Sequence, residues 1–233
     1  MPKRMRSSRT YVGLGRMRVA KKRRVFRQKY TMVPRAIAYG GKHAYATLTW
    51  SQTLSVVEGA PGVGTVYAFN LNSAYDPNRT GVGNQPSGFD QMMAMYRRCL
   101  VYGATFEWAV SNTTIGAPTV VGFWTGPDTA APISPEGYPN VPGGQVQILG
   151  QANGNAHHKF YKRVNFSREL GVPMRKILDE DDYSHGASAN PAIPLLAYIW
   201  IRGFAGGNAA TVSGIVRITM RCKFTETKVL EAS

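Results

Sequence analysis

The chain has little of what catalysis, metal binding or a disulfide scaffold requires. It contains two cysteines, Cys99 and Cys222. They form no CxxC pair, and two thiols do not make a disulfide framework. Each lies in an apolar stretch, as buried free thiols do. The only histidines are His43, His157, His158 and His185, and none falls in an HExxH or HxE…CxxC arrangement. His157 and His158 are adjacent, so a strand would send them to opposite faces, which suits joint ligation badly. The segment "GAPGVG" at Gly59–Gly64 is glycine-rich but lacks the Lys-Ser/Thr of a phosphate loop, so it reads as a turn. No Gly-x-Ser-x-Gly elbow occurs. The acidic run Asp179–Asp182 lacks the spaced ligands and glycine of a calcium loop; it reads as a solvated loop or a partner for a neighbouring arginine. No catalytic residue, metal site or cofactor is therefore expected. There is also no run of eighteen apolar residues and no signal-peptide core, so membrane insertion is not expected.

The most telling absence is local. Residues 1–35 hold no acid at all, yet they carry Lys3, Arg4, Arg6, Arg9, Arg16, Arg18, Lys21, Lys22, Arg23, Arg24, Arg27, Lys29 and Arg35. The whole chain of 233 residues has a formal charge of +15. The segment after Arg35 has 15 cations and all 13 acids, so nearly all the imbalance sits in the arm. Such a segment repels itself and has too little apolar surface to offset the entropy of ordering. Residues 1–40 are thus expected to be a disordered arm that binds a polyanion through its phosphates, with counterion release as the driving force. Tyr11, Phe26 and Tyr30 are candidates for stacking on bases or for docking on the folded part. The cluster Lys21, Lys22, Arg23, Arg24 also fits a nuclear localisation signal, a use compatible with nucleic-acid binding.

Residues 41–233 read as one β domain. From Ala44 to Val56 the sequence alternates: Leu48, Trp50, Leu54 and Val56 share one face and Thr47, Thr49, Ser51 and Thr53 the other. Leu100–Val110 alternates likewise, with Leu100, Tyr102, Ala104, Phe106, Trp108 and Val110 together. Thr65–Leu71, Val120–Thr125, Val146–Leu149 and His158–Phe166 are further strands, and the continuous apolar run Leu195–Ile201 predicts a strand covered on both faces. In Ser213–Thr225, Val216, Ile218, Met220, Cys222 and Phe224 face inward. Arg217, Arg221 and Lys223 project together from the opposite face and form a second candidate nucleic-acid surface, to which Lys159, Lys162, Arg163 and Arg168 are candidates to add. About eight strands joined by Gly- and Pro-rich loops predict an all-β fold, an antiparallel two-sheet sandwich. One short helix is expected, from the spacing of Phe89, Met92, Met93 and Tyr96, with Ser87 as its cap and Arg97 and Arg98 at its end.

The stretch Phe69–Phe106, "FNLNSAYDPNRTGVGNQPSGFDQMMAMYRRCLVYGATF", is more specific. It resembles capsid proteins of circovirus-like, replication-initiator-encoding circular single-stranded DNA viruses. Asn72, Ser73, Tyr75, Asp76, Pro77, Thr80, Gly81, Gly83, Gln85, Pro86, Phe89, Asp90 and Gln91, then Tyr96, Val101, Tyr102 and Gly103, carry the resemblance. It implies a single eight-stranded jelly roll, self-assembly of about sixty copies into a small icosahedral shell, packaging of a single-stranded circular DNA genome, and delivery to the host nucleus by import factors that read the arm. Two other readings of the residues are a cellular basic nucleic-acid-binding protein with a β-sandwich, and a sandwich enzyme or lectin with a basic tail. The first leaves the strand count and long loops unexplained; the second lacks a site.

If all thirteen arm cations meet phosphates of a single strand, the log–log dependence of affinity on salt has a slope of roughly −9. A salt titration with a fluorescent single-stranded oligonucleotide measures it; a slope near zero would remove the arm from binding.

Overall fold

The computed structural model describes residues 43–59, 63–79, 84–127, 143–152, 154, 156–204 and 209–228. The arm and its thirteen cations, including Lys21–Arg24, lie outside these residues. So do Thr80, Gly81 and Gly83.

All eight expected strands are present. They are β1 (His43–Val57), β2 (Thr65–Asn70), β3 (Tyr96–Asn112), β4 (Thr119–Gly126), β5 (Gln145–Leu149), β6 (His157–Val164), β8 (Leu196–Gly203) and β9 (Thr211–Thr227). A two-residue strand, β7 (Ser184–His185), joins them. One sheet runs β1-β9-β3-β6, with β7 also paired to β3; the other runs β2-β8-β4-β5. Every pairing is antiparallel. The chain crosses between the sheets from β1 to β2, β2 to β3 and β3 to β4, and the last strand inserts beside the first. This is the eight-stranded jelly roll.

Alternation decides the core. Val216, Ile218, Met220, Cys222 and Phe224 of β9 are all fully buried, as are Phe106 of β3 and Ile199 and Ile201 of β8. Aromatic rings form a spine between the sheets: Trp50 to Phe69 (6.0 Å), Phe69 to Phe106 (5.8 Å), Phe106 stacked on Phe123 (4.9 Å), Phe123 to Phe160 (6.0 Å) and Phe160 stacked on Trp108 (5.2 Å). Offset and tilted contacts of this kind add about 0.5–1.5 kcal/mol per pair beyond area burial. As its sequence predicts, β8 is covered on both faces. Ala197, Ile199 and Ile201 enter the main core, while Leu196, Tyr198 and Trp200 join Ala68, Val120 and Trp124 in a second buried cluster. At one end of the sandwich the buried Glu58 carboxylate accepts the N–H groups of Gly203 (3.1 Å) and Ala210 (2.9 Å) through Oε2. It thereby fixes where the β8–β9 connection leaves and returns.

Helices depart from expectation. α1 (Phe89–Met95) forms and buries Phe89, Met92 and Met93, but Gly88, in the left-handed region at φ 92°, occupies the N-cap and no side chain caps the helix. Ser87 therefore does not serve. The helix stops at Tyr96, which is extended, so Arg97 and Arg98 belong to β3 rather than to a helix end. Two further helices, α2 (Phe166–Leu170) and α3 (Met174–Asp179), follow β6, and a 3-10 turn spans Asp181–Tyr183. Asn165 caps α2 by accepting the Arg168 N–H. Phe166, expected at a strand end, instead starts this helix.

Phe106→Ala should cost about 3–5 kcal/mol, because it removes the ring at the centre of the spine. Urea unfolding checks this; a loss under 1 kcal/mol would mean that the spine is not where the sheets are held.

Candidate nucleic-acid interface

The outer face of the β1-β9-β3-β6 sheet follows from the same alternation that builds the core. Register places Arg217 of β9 between Ser51 of β1 and Glu107 of β3, Thr219 between Thr49 and Thr105, and Arg221 between Thr47 and Gly103. Lys223 lies beside Tyr45, and Arg163 of β6 lies beside Thr105. Arg217, Arg221 and Arg163 are exposed and Lys223 is half-exposed. The expected cationic row thus exists, on a background of threonine and serine.

The acids of this region are engaged elsewhere. Glu107 pairs with Lys159 (2.9 Å), and Asp181 and Glu226 both pair with Arg98 (2.6 and 3.2 Å). Arg175–Asp179 and Lys176–Glu180 are i,i+4 pairs on and just after α3. The acidic run is therefore largely matched by its own neighbours. Among the described residues no ion pair involves Arg217, Arg221, Lys223 or Arg163. Of the other expected contributors, Lys159 is neutralised by Glu107. Lys162 does not join the face at all: it points to the sandwich edge, where it pairs with Glu169 (3.0 Å) and donates to Thr125 Oγ1. These groups line a cleft of about 350 Å³ with Trp124 and Arg168, so its polar atoms already satisfy one another. Arg168 sits on α2, away from the row. Among the described residues no cluster of His, Cys, Asp or Glu could hold a metal, and no helix is long and apolar enough to cross a membrane.

Sequence alternation missed the aromatic part of the face. The β3–β9 register shifts between Val101 and Gly103, so Tyr102 bulges and turns outward and the expected face is split there: Ala104, Phe106, Trp108 and Val110 face the core, whereas before the shift it is Cys99 and Val101 that register with the inward Phe224 and Cys222, and Leu100 registers with Lys223. Its ring lies 6.2 Å from Tyr45, which is 56% exposed, and Tyr45 in turn meets His43 at 5.4 Å. The Arg221 guanidinium carbon sits 5.4 Å from the Tyr102 ring centroid. The guanidinium fills the space that a Cβ at 103 would take, so a side chain there would push the end of Arg221 aside. A glycine inside a strand pattern is the signal that could have revealed this bulge.

The polar string of the β2–α1 segment has a different job. Asn70 Nδ2 donates to the Asp76 carbonyl (2.6 Å). Asn72 donates to the Ile193 carbonyl (2.8 Å) and accepts the Leu195 N–H (2.8 Å). Ser73 Oγ donates to Asn190 Oδ1 (2.7 Å). His185, buried beside the Phe89 ring (5.7 Å), accepts the Ala74 N–H at Nε2 (3.2 Å). Its proton therefore sits on Nδ1, which donates to the Gly186 carbonyl (2.9 Å). Asn72, Ser73 and Ala74 bind the loop to the segment before β8 and to β7, and Asn70 closes it on itself. Cys99 and Cys222 are both buried and free, as expected, and the neighbouring Cys222 thiol together with burial pushes Cys99 well up.

No protein-family model matches the chain, and no curated protein matches it. Solved structures do. The chain is similar to the giant freshwater prawn Macrobrachium rosenbergii nodavirus semi-empty VLP at 10% identity, covering 84% of this chain and 100% of that one, with a TM-score of 0.46. It is similar to Mud crab tombus-like virus at 11% identity, covering 84% and 95%, with a TM-score of 0.45. It is similar to the decameric BFDV capsid protein at 13% identity, covering 78% and 99%, with a TM-score of 0.40. All three are viral structures.

Burial holds the His185 imidazole below its ordinary range, against a smaller opposing pull from its bond to Gly186. The unfolded chain therefore takes up a proton first. His185 contributes no penalty above about pH 6.5, and stability falls as pH drops below that value. Asp76, raised by burial, shifts the balance the other way at lower pH. Between pH 7.5 and 5, wild type should lose more stability than His185→Gln does. Parallel urea unfolding at the two pH values checks it, and equal losses would exclude His185 as the cause.

Proposed function

We propose that the protein is a viral coat subunit that assembles into a small icosahedral shell and retains a single-stranded circular DNA genome through its cationic arm. The observation that carries this reading is the division of charge. Thirteen cations without an acid precede a jelly roll in which a cationic row, without an ion pair among the described residues, lies on the sheet that contains β1, the first strand after the arm in sequence. Arm and row then address the same polyanion, one as a tether and the other as a fixed surface. The resemblance of Phe69–Phe106 to circovirus-like capsid proteins supports the DNA assignment and the shell. The Lys21–Arg24 cluster supports passage through the host nucleus, and the virion is the final location.

Charge magnitudes agree. About sixty copies at +15 carry on the order of 900 positive charges, enough to neutralise much of a strand of one to two thousand phosphates at one charge each. A jelly roll also suits closure. Its eight strands form a rigid block, and symmetry-related contacts between identical blocks generate a finite shell without any chemical step.

Negative-stain microscopy of the expressed protein should show uniform small shells; a monomer at every concentration and salt, even with DNA, would sink the reading. Deleting residues 1–35 should leave the sandwich folded and abolish nucleic-acid retention. Changing Arg217, Arg221 and Lys223 together to Gln should make the salt slope shallower by about 2. An unchanged slope would place the β9 row outside the lumen.

A further inference from the structure

The row on β9 explains attraction to phosphate, but phosphate attraction alone does not distinguish an unpaired strand from a duplex. The rings beside the row do. Tyr45 is 56% exposed on the face where its strand neighbours are threonine and serine. Tyr102 is turned to that face by the bulge, 6.2 Å from Tyr45 and edge-on to it. Arg221 is held over Tyr102, its guanidinium seated in the space left by Gly103, and no carboxylate among the described residues pairs with it. Lys223, the register partner of Tyr45, supplies a second cation within the same patch.

We infer that Tyr45, Tyr102 and Arg221 form a stacking platform for an unpaired base of the packaged strand, with Lys223 and Arg217 on its phosphates. The inference rests on the coat-protein reading and adds to it a site that selects single strands. Bases in a single strand expose π-faces that a duplex hides. Aromatic rings and guanidinium planes both stack on such faces regardless of sequence, as a coat that must hold any part of a genome requires. Each element of the patch is costly without a ligand. An exposed tyrosine ring leaves apolar surface in water, and a seated arginine forgoes rotamer freedom. The bulge interrupts the ladder of a central strand. A bound base uses all three.

The test titrates the full-length protein with a labelled thymidine oligonucleotide and with an abasic strand of equal length and charge. Wild type should bind the thymidine strand more tightly. Tyr45→Ala and Tyr102→Leu should each weaken thymidine binding by roughly fivefold or more while leaving abasic binding unchanged. Equal affinity of wild type for the two strands, or variants that bind thymidine normally, would overturn the platform and leave the coat-protein reading standing. Failure of both strands to bind would overturn the two together. Photocrosslinking of the unmodified protein to a 4-thiothymidine strand gives a readout independent of variant folding. Adducts on the peptide of Tyr45 or Tyr102 are expected, and adducts confined to residues 1–42 would count against the platform.

Discussion

The central strand of the β1-β9-β3-β6 sheet is the one made last, and most of the structure is arranged around it. β9 pairs with β1 from Thr211 to Thr225 on one side and with β3 from Val212 to Thr227 on the other. Because side chains alternate, one choice of register sends Val216, Ile218, Met220, Cys222 and Phe224 inward and Arg217, Arg221 and Lys223 outward. Slipping that register by one residue would bury the cations and expose the core set together. The same ladder therefore stabilises the sandwich and presents its charge.

Period-two patterning made most of the fold legible. All eight principal strands were readable because one face of each is buried, and β8 was readable as doubly covered because its apolar run is unbroken. What escaped was local and short. α2 and α3 have five and six residues, too few for a 3.6-residue period to emerge, and a single capping bond from Asn165 starts the first of them. Tyr102 escaped because a one-residue bulge reverses the side of everything preceding it, and alternation alone cannot register an extra residue. Lys162 escaped for the opposite reason. Its strand is an edge strand with an alternating charged pattern, so nothing local announces that Glu169, on the following helix, draws it inward.

The motif that carries the family resemblance turns out to be a fastening. Asn72, Ser73 and the Ala74 N–H reach the segments before β8 and at β7, more than a hundred positions away, while Asn70 closes the loop on itself at the Asp76 carbonyl. A polar string of this kind is demanding because every group is at least partly removed from water and needs its particular partner. That demand explains how a stretch without catalytic content can look so specific. It also separates two roles within one segment: residues 70–78 hold the loop, whereas Tyr102 and Gly103, at the far end of the same resemblance, shape the exposed face.

The jelly-roll order has a consequence for synthesis. Thr49 and Thr219 touch across the β1–β9 ladder although 170 positions separate them, and β3 lacks a full-length neighbour until β9 joins it. While the chain is on the ribosome, the apolar row of Leu48, Trp50, Leu54 and Val56 has no mate, and long-range β pairing of this kind is slow to form. The thirteen cations of residues 1–35 emerge first. A nascent chain is thus strongly charged well before its sandwich can close. Compact folding waits for the final strand, so a chain truncated within β9 would keep its cationic N-terminal segment while lacking the central strand on which the sheet depends.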